Sequence, residues 1–437
     1  MSSEGATQEG LDGYKQVQVG PKKVIIPSEW DMRPIGELFD IKKESFDPDD
    51  LPPDTEVRLY SMPAFDDGRE PVRTSPSEIG SKKYHVPEDT ILFPKLNIRK
   101  RRFWRVEQTS EQPSVCSTEF WPLIPQVSLC LDFYLYYFDS YEFMSDPKIT
   151  SSSSTNSHKR VREQSFRKLQ VPVPPIPEQR RIAEVLSTVD ERIQEAVGTI
   201  EKAEELKRGL VQDLVFYGPD HEDVQTVQLG PMTTEIAASW DVSTVGDVTT
   251  EVQYGSSESL SQDGEYPVFR MNNIENGRMV ARPMKYSDLT PEEAEKYHVE
   301  KGDILFNRTN SIDLVGKSGI FDLDGDYVFA SYLIRIRTNE EMNPYFLNYY
   351  LNSSTGDGIL KSYATRGASQ ANINATSLKS VKVPLPPRET QDRIVAQIQT
   401  VEQRVEEEKE SGQKLQELKR GLMQDLLTGK RRLGINT

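Results

Sequence analysis

Between Glu178 and Leu214 the apolar residues Ile182, Leu186, Val189, Ile193, Ala196, Ile200, Ala203 and Leu210 follow one another mostly by four and three. That is the spacing of a heptad seam, and it predicts one long amphipathic helix. A second such run holds Ile394, Ile398, Val401, Val405, Leu415, Leu422 and Leu426, weakened around Ser411-Gly412. Each run is preceded by a proline pair, Pro174-Pro175 and Pro386-Pro387, which forbids helix upstream and then releases it. The 37 residues from Glu178 to Leu214 give a helix of about 55 Å at ~1.5 Å per residue. A single helix of that kind leaves its apolar stripe in water, so the two are expected to pack on each other. Upstream of each helix the pattern is different. Short β-rich runs (Thr90–Phe93, Asp303–Phe306, Tyr332–Arg337), turns at Asp67-Gly68 and Asp324-Gly325, and aromatic helices at Asp132–Asp139 and Pro344–Leu351 predict mixed α/β domains.

The two halves are copies of one another. Trp30-Asp31 recurs as Trp240-Asp241, Ile91-Leu92-Phe93 as Ile304-Leu305-Phe306, and Val171-Pro172-Val173-Pro174-Pro175 as Val383-Pro384-Leu385-Pro386-Pro387. Leu206-Lys207-Arg208-Gly209-Leu210-Val211-Gln212-Asp213-Leu214 returns at 418–426 with one change in nine. The offset stays close to 212 along the whole chain, which marks an internal duplication. The expected organisation is a tail (1–13), a globular domain (14–175), a helix (176–216), a linker (217–235), a second globular domain (236–387), a second helix (388–430) and a tail (431–437). The fold class is α+β: a tandem repeat of a mixed α/β domain and a long helix. The helices are expected to form an antiparallel coiled coil with a globular domain at each end.

Composition changes this picture in two ways. The chain carries 28% charged and 9% aromatic residues, which excludes wholesale disorder, and no apolar run reaches membrane-spanning length. The N-terminal residues lack the basic start and apolar stretch of a secretory signal. Cys116 and Cys130, fourteen apart, fit a reducing cytoplasm rather than a zinc site or disulfide framework. The chain's 69 acidic against 53 basic residues give a net charge of −16, the balance expected either in a salt-filled cytoplasm, and so of a halophilic source, or in an ordinary acidic soluble protein. Taken over the whole chain, that charge also argues against a nucleic-acid binder, so the local charges must decide.

Motifs for catalysis are missing from the sequence: no phosphate-binding loop, no GxGxxG and no HExxH. Asp322-Leu323-Asp324-Gly325-Asp326 has its glycine misplaced for a calcium loop and reads as a turn. Asn343-Pro344-Tyr345-Phe346 lacks the second proline of amino-methyltransferases and reads as a helix start, and His85 and His298 stand at equivalent repeat positions, as shared packing would place them. The basic segments are more informative. Lys95, Asn97, Arg99, Lys100, Arg101 and Arg102 form a cationic run, and its second-copy equivalent begins Asn307, Arg308, Thr309, Asn310. A second loop holds Ser154, Asn156, His158, Lys159 and Arg160, and its counterpart holds Arg366, Ser369, Gln370 and Asn372. Arginine, asparagine, glutamine and serine are the side chains that contact base edges and phosphates.

The Trp-Asp start, the Ile-Leu-Phe strand followed by Lys95 or Asn307-Arg308, and the Val-Pro-Leu-Pro-Pro punctuation together resemble the specificity subunit of type I restriction–modification systems. So do Glu178-Gln179-Arg180-Arg181-Ile182 and the Leu-Lys-Arg-Gly-Leu-Met-Gln-Asp-Leu ending followed by Thr428-Gly429. Copy two departs from the pattern at Glu389-Thr390-Gln391, and copy one at Pro94. The resemblance implies a non-catalytic cytoplasmic subunit whose two target-recognition domains each read half of a bipartite asymmetric site on double-stranded DNA. Its helices would set the separation and dock two methyltransferase (modification) subunits, with restriction subunits joining that core. S-adenosylmethionine, ATP and magnesium would belong to those partners, and none to this chain. The rival readings are a standalone DNA-binding or coiled-coil scaffold protein, and an active methyltransferase or nuclease.

Overall fold

The computed structural model describes residues 13–19, 22–107, 112–146, 149, 160–220, 223–367 and 370–433. The chain divides into two compact units. One is Met1–Val197 with Ser411–Thr437, and the other is Gly198–Glu410. The division cuts through the middle of both long helices, Ile176–Tyr217 and Arg388–Leu427, and not at their ends. This is the main departure from the expected domain order, because each unit takes helix from both copies.

In the first unit, a hairpin of Tyr14–Val19 and Lys22–Pro27 leads to Asp31–Pro34, which pairs with Gln170–Val173 just before the first long helix. Between them lies an antiparallel four-stranded sheet in the order Trp104–Val106, Thr90–Pro94, Phe120–Pro125, Phe39–Ile41. A separate five-stranded sheet completes the unit, with Ser114–Ser117 parallel to Val57–Tyr60. The core is aromatic. Phe93 lies 4.4 Å from Phe166 and edge-on to Phe138 of the helix Leu131–Asp139.

The second unit repeats the frame. A hairpin of Val224–Leu229 and Met232–Ala237 precedes Asp241–Thr244, which pairs with Lys382–Leu385. The expected linker is therefore mostly a two-stranded element, because Val-Gln-Thr-Val-Gln alternates like a strand and Gly230 supplies the turn at φ +64°. The main sheet has six strands, with Ile304–Asn307 between Leu333–Thr338 and Ser318–Ile320. Asn343 caps the helix Pro344–Asn352, accepting from the Tyr345 and Phe346 amides. Gly325 sits in a loop at φ +123°. His298 lies in an isolated bridge to Val328, and His85 packs edge-on against Phe46.

The ends of the helices explain the two units. Both helices stop at a left-handed glycine, Gly218 at φ +74° and Gly429 at φ +72°. A Cβ on Gly218 would lie 2.9 Å from the Trp240 ring, and one on Gly429 would lie 2.4 Å from Pro27 and 3.2 Å from Trp30. Thus the helix of copy one ends on the tryptophan of copy two, and the helix of copy two ends on that of copy one. Ile182 and Leu186 share the first core with Met423, Leu426 and Leu427, while Ile394 and Ile398 share the second with Leu214, Val215 and Phe216. Only the seam ends are swallowed by domain cores. Ile193 and Val405 are buried, but Val189, Ile200, Leu210, Val401, Leu415 and Leu422 are half-buried. The expected C-terminal tail is also partly built in, for Leu433 packs on the first core and Arg432 reaches Glu178 at 3.0 Å.

Glu178 is fully buried at the start of the first helix. It accepts from the Trp30 indole at 2.9 Å and from two nitrogens of Arg432. Glu178→Ala leaves both donors without that acceptor and should cost the first unit about 2–4 kcal/mol. Urea unfolding followed by tryptophan fluorescence measures this well, since Trp30, Trp104 and Trp121 lie in the first unit and Trp240 in the second. An unchanged midpoint would show that the triad contributes nothing.

Candidate nucleic-acid interface

In the second unit the strand Ile304–Asn307 ends in a buried asparagine, and the chain then turns outward through Arg308. Thr309–Asn310 continues as a short strand that pairs with Ala371–Asn372, which also pairs with Thr365–Arg366. Two segments some sixty residues apart therefore form one small three-stranded sheet. The Asn372 amide donates to Thr309 Oγ1 at 2.6 Å, the Ile373 amide to the Arg308 carbonyl at 2.9 Å, and the Gly367 amide to the Gln370 carbonyl at 2.7 Å. Gln370 is exposed at its edge.

Arg308 is held in a polar-aromatic seat. Its guanidinium lies 4.7 Å over the Tyr254 ring and donates through Nη1 to the Ser331 carbonyl, while Nε is buried without a partner. Tyr254 itself is fixed because its hydroxyl accepts from the Ala375 amide at 2.8 Å. Tyr332, half exposed, gives its carbonyl to the Arg308 amide. Sequence reasoning missed Tyr254, Ser331 and Tyr332. The one signal for Tyr254 and Tyr332 was an aromatic at a strand end in an acidic chain, which does not say which loop the aromatic faces, and Ser331, acting through its carbonyl, had none.

The first unit builds the same junction. The Val161 amide donates to the Lys95 carbonyl at 2.8 Å, and Leu96 bridges to Arg160, as Ile373 bonds Arg308 and Thr309 pairs with Asn372. Lys95 thus corresponds to Arg308, and Pro94 to Asn307. Asn97 and Arg101 adopt left-handed backbone at φ +51° and +53°, bracketing a single turn that carries the exposed Arg99 and Lys100. Arg160 is exposed and pairs with Glu119 at 2.7 Å, and Arg101 with Asp139 at 3.2 Å.

Two candidates sit inside the fold. Arg102 is buried and grips Asp66 with two nitrogens, Nε at 2.7 Å. Hydrogen bonding to Arg102 holds the Asp66 carboxyl below the usual range. Asn307 is buried too, its amide donating to the Leu314 carbonyl at 3.1 Å. Asn310 is half-buried against Met271. Ser154, Asn156, His158, Lys159 and Ser369 lie outside the described residues, as does the side chain of Arg366. No group of three His, Cys, Asp or Glu able to hold a metal occurs among the described residues, and no helix there is long and apolar enough to cross a membrane.

Each of the two compact units ends a core strand in a polar loop clasped by a second segment. Residues 27–205 and 238–420 each match the type I restriction modification DNA specificity domain, and the chain belongs to that family. It is 26% identical over 262 residues to the specificity subunit of the type I restriction enzyme StySPI of Salmonella potsdam, covering 58% of this chain and 54% of that relative. It is 22% identical over 266 residues to the EcoKI specificity subunit of Escherichia coli strain K12, with the same shares. The chain thus spans about half the length of these curated relatives. A solved structure described as the basis of complex assembly and conformational transition of the type I R-M system shares the fold. It matches with a TM-score of 0.63 over 93% of this chain and 99% of the other, at 20% identity.

Because Arg102 is committed to Asp66, Arg102→Ala should lower the urea midpoint of the first unit and leave ligand preference at that unit unchanged. Arg99→Ala should do the reverse. Tryptophan fluorescence reads the first effect and a mobility-shift titration the second; a stable Arg102→Ala chain with altered preference would overturn the assignment.

Proposed function

We propose that the chain is the non-catalytic DNA-recognition subunit of a type I restriction–modification complex. Each unit reads one half of a bipartite asymmetric target on double-stranded DNA. The observation that carries this is the clasped loop pair built twice, around Lys95 and Arg160 and around Arg308 and Asn372. Arginine and asparagine at such an edge suit base acceptors and donors in the major groove, and the flanking cations suit phosphate. In the second unit Glu204 pairs with Lys409 and Lys207 with Glu402, so the helix segments there run in opposite directions. That order supports an antiparallel coiled coil along the whole pair, which would fix the unread spacer and dock two methyltransferase subunits. Those partners would carry S-adenosylmethionine, and restriction subunits would carry ATP and magnesium. The net charge of −16 supports work in the salty cytoplasm of a halophile, where counterion release is weak and base contacts weigh more.

Co-expression with methyltransferase subunits, then methylome sequencing, tests the reading directly. One asymmetric two-part motif is expected, and methylation by this chain alone would sink it. Within that assay Arg308→Ala should weaken recognition of one half-site by about 1–3 kcal/mol. The other half-site should be untouched, and an equal loss at both would argue against modular reading.

The length of the helix pair should set the spacer. Four residues inserted after Thr199 and after Ser411, close to where the compact units divide each helix, lengthen the pair by about 6 Å. That matches one or two base pairs at roughly 3.4 Å each. The methylated motif should keep its half-sites and gain that spacer. An active variant with the original spacer would show that the helices do not set the distance.

A further inference from the structure

One polar cluster occurs twice, at the margin of each core and apart from the loop pairs. In the first unit the Tyr136 hydroxyl donates to Asp190 Oδ2 at 2.9 Å, and Lys419 reaches Asp190 Oδ1 at 2.5 Å. Lys419 also lies 5.4 Å over the Tyr136 ring. In the second unit the Tyr349 hydroxyl donates to Glu402 Oε2 at 3.0 Å, and Lys207 reaches Glu402 Oε1 at 2.8 Å. Tyr136 and Tyr349 occupy equivalent places on the aromatic helices Leu131–Asp139 and Pro344–Asn352. Asp190 and Glu402 are equivalent on the long helices, and Lys207 and Lys419 are the same residue of the duplicated nine-residue segment.

Each cluster therefore ties three elements: a recognition domain by its tyrosine, the helix of its own copy by its acid, and the helix of the other copy by its lysine. The two are not equal. Glu402 takes a second cation, Arg278 at 3.0 Å, from the recognition domain. Burial pushes the Glu402 carboxyl up, but the bonds from Lys207, Arg278 and Tyr349 more than reverse it and hold it below its usual range. An open cleft adjoins each cluster, with Arg208 and Tyr345 on its walls in the second unit and Arg420 and Tyr141 in the first. Beyond the shared core and the buried glutamine, the domain thus meets the helices here through a polar bond beside free space.

We infer that these clusters are joints that set the angle of each recognition domain on its helices, and that they decide how strictly the protein discriminates the length of the unread spacer. Tyr136, Asp190, Lys419, Tyr349, Glu402, Lys207 and Arg278 are positioning residues, acting on DNA only through the domains they orient. The first joint, with one lysine, is the softer. The inference rests on the functional reading above.

The test compares affinities of the complex for duplexes with the native spacer and with one base pair more or fewer. In Lys419→Met the preference for the native spacer should fall on the order of tenfold, the loss of one hydrogen bond to a charged group. Affinity for an isolated half-site should stay as in the wild type, and Lys419→Arg should restore the preference. Lys207→Met should do less, because Arg278 still holds Glu402, and Tyr136→Phe covers the case in which a lysine variant fails to fold. An unchanged spacer preference, or an equal loss on every duplex and on the half-site, overturns the inference. If the wild type itself binds no two-part duplex, the functional reading fails, and a DNA-free measurement judges the joint. Spin labels on Glu295→Cys and Glu406→Cys, both exposed and both in the second unit, with Cys130→Ser, report the domain against the helix. Cys116 stays unlabelled because burial pushes its thiol up to about 12. A Lys207→Met, Arg278→Met chain should broaden the distance distribution, and the same narrow distribution as in wild type overturns the joint.

Discussion

Everything in this architecture depends on where the two long helices end. Gly218 allows the first helix to stop against Trp240, and Gly429 allows the second to stop against Trp30 and Pro27. No side chain fits at either glycine, so the close approach and the left-handed turn are the same requirement. The result is an exchange: each copy gives the end of its helix to the other copy's core, where Phe216 packs against Tyr350 and Leu426 joins Trp30 and Leu186. An amphipathic helix that cannot bury its stripe alone is stabilised at both ends by domains it joins.

The same exchange organises the polar contacts. At the first helix start Glu178 links Trp30 of copy one to Arg432 from the far end of the chain. The glutamines that follow behave alike in the two copies. Gln179 accepts from the Cys130 amide and Gln391 from the Asn343 amide, so each aromatic helix is tied to its long helix by one buried side chain. With the aromatic helices held this way, the strands Thr90–Pro94 and Ile304–Asn307 deliver Lys95 and Arg308 to the domain edge. The loop after each strand can vary in such a frame because its stem is fixed by backbone bonds to Val161 and Ile373, which any residue can make.

Much of the fold is legible in the chain itself. The duplication, the helix starts after Pro175 and Pro387, the Ile-Leu-Phe strands and the helix cap at Asn343 are local signals, since each depends on neighbours within a turn or a strand. The pairing of the two basic loops in each copy was legible only as equivalence of position. Arg102 and Arg99 look alike in a cationic run, and what separates them is Asp66, thirty-six residues away in sequence, which draws one arginine into the fold. Asn307 read as an exposed contact because polar residues usually are. Here it closes a core strand by bonding the Leu314 carbonyl.

By itself the sequence determined that one module is written twice, that each copy alternates a mixed domain with a long helix, and that the polar loops follow a buried strand. Tertiary structure alone decided which helix end belongs to which core. The heptad pattern carries no direction and no partner, so it serves a helix paired with either copy equally well. Only the fit of glycine against tryptophan, and of one buried glutamate against an arginine some 250 residues away, selects the exchange that makes two units from two copies.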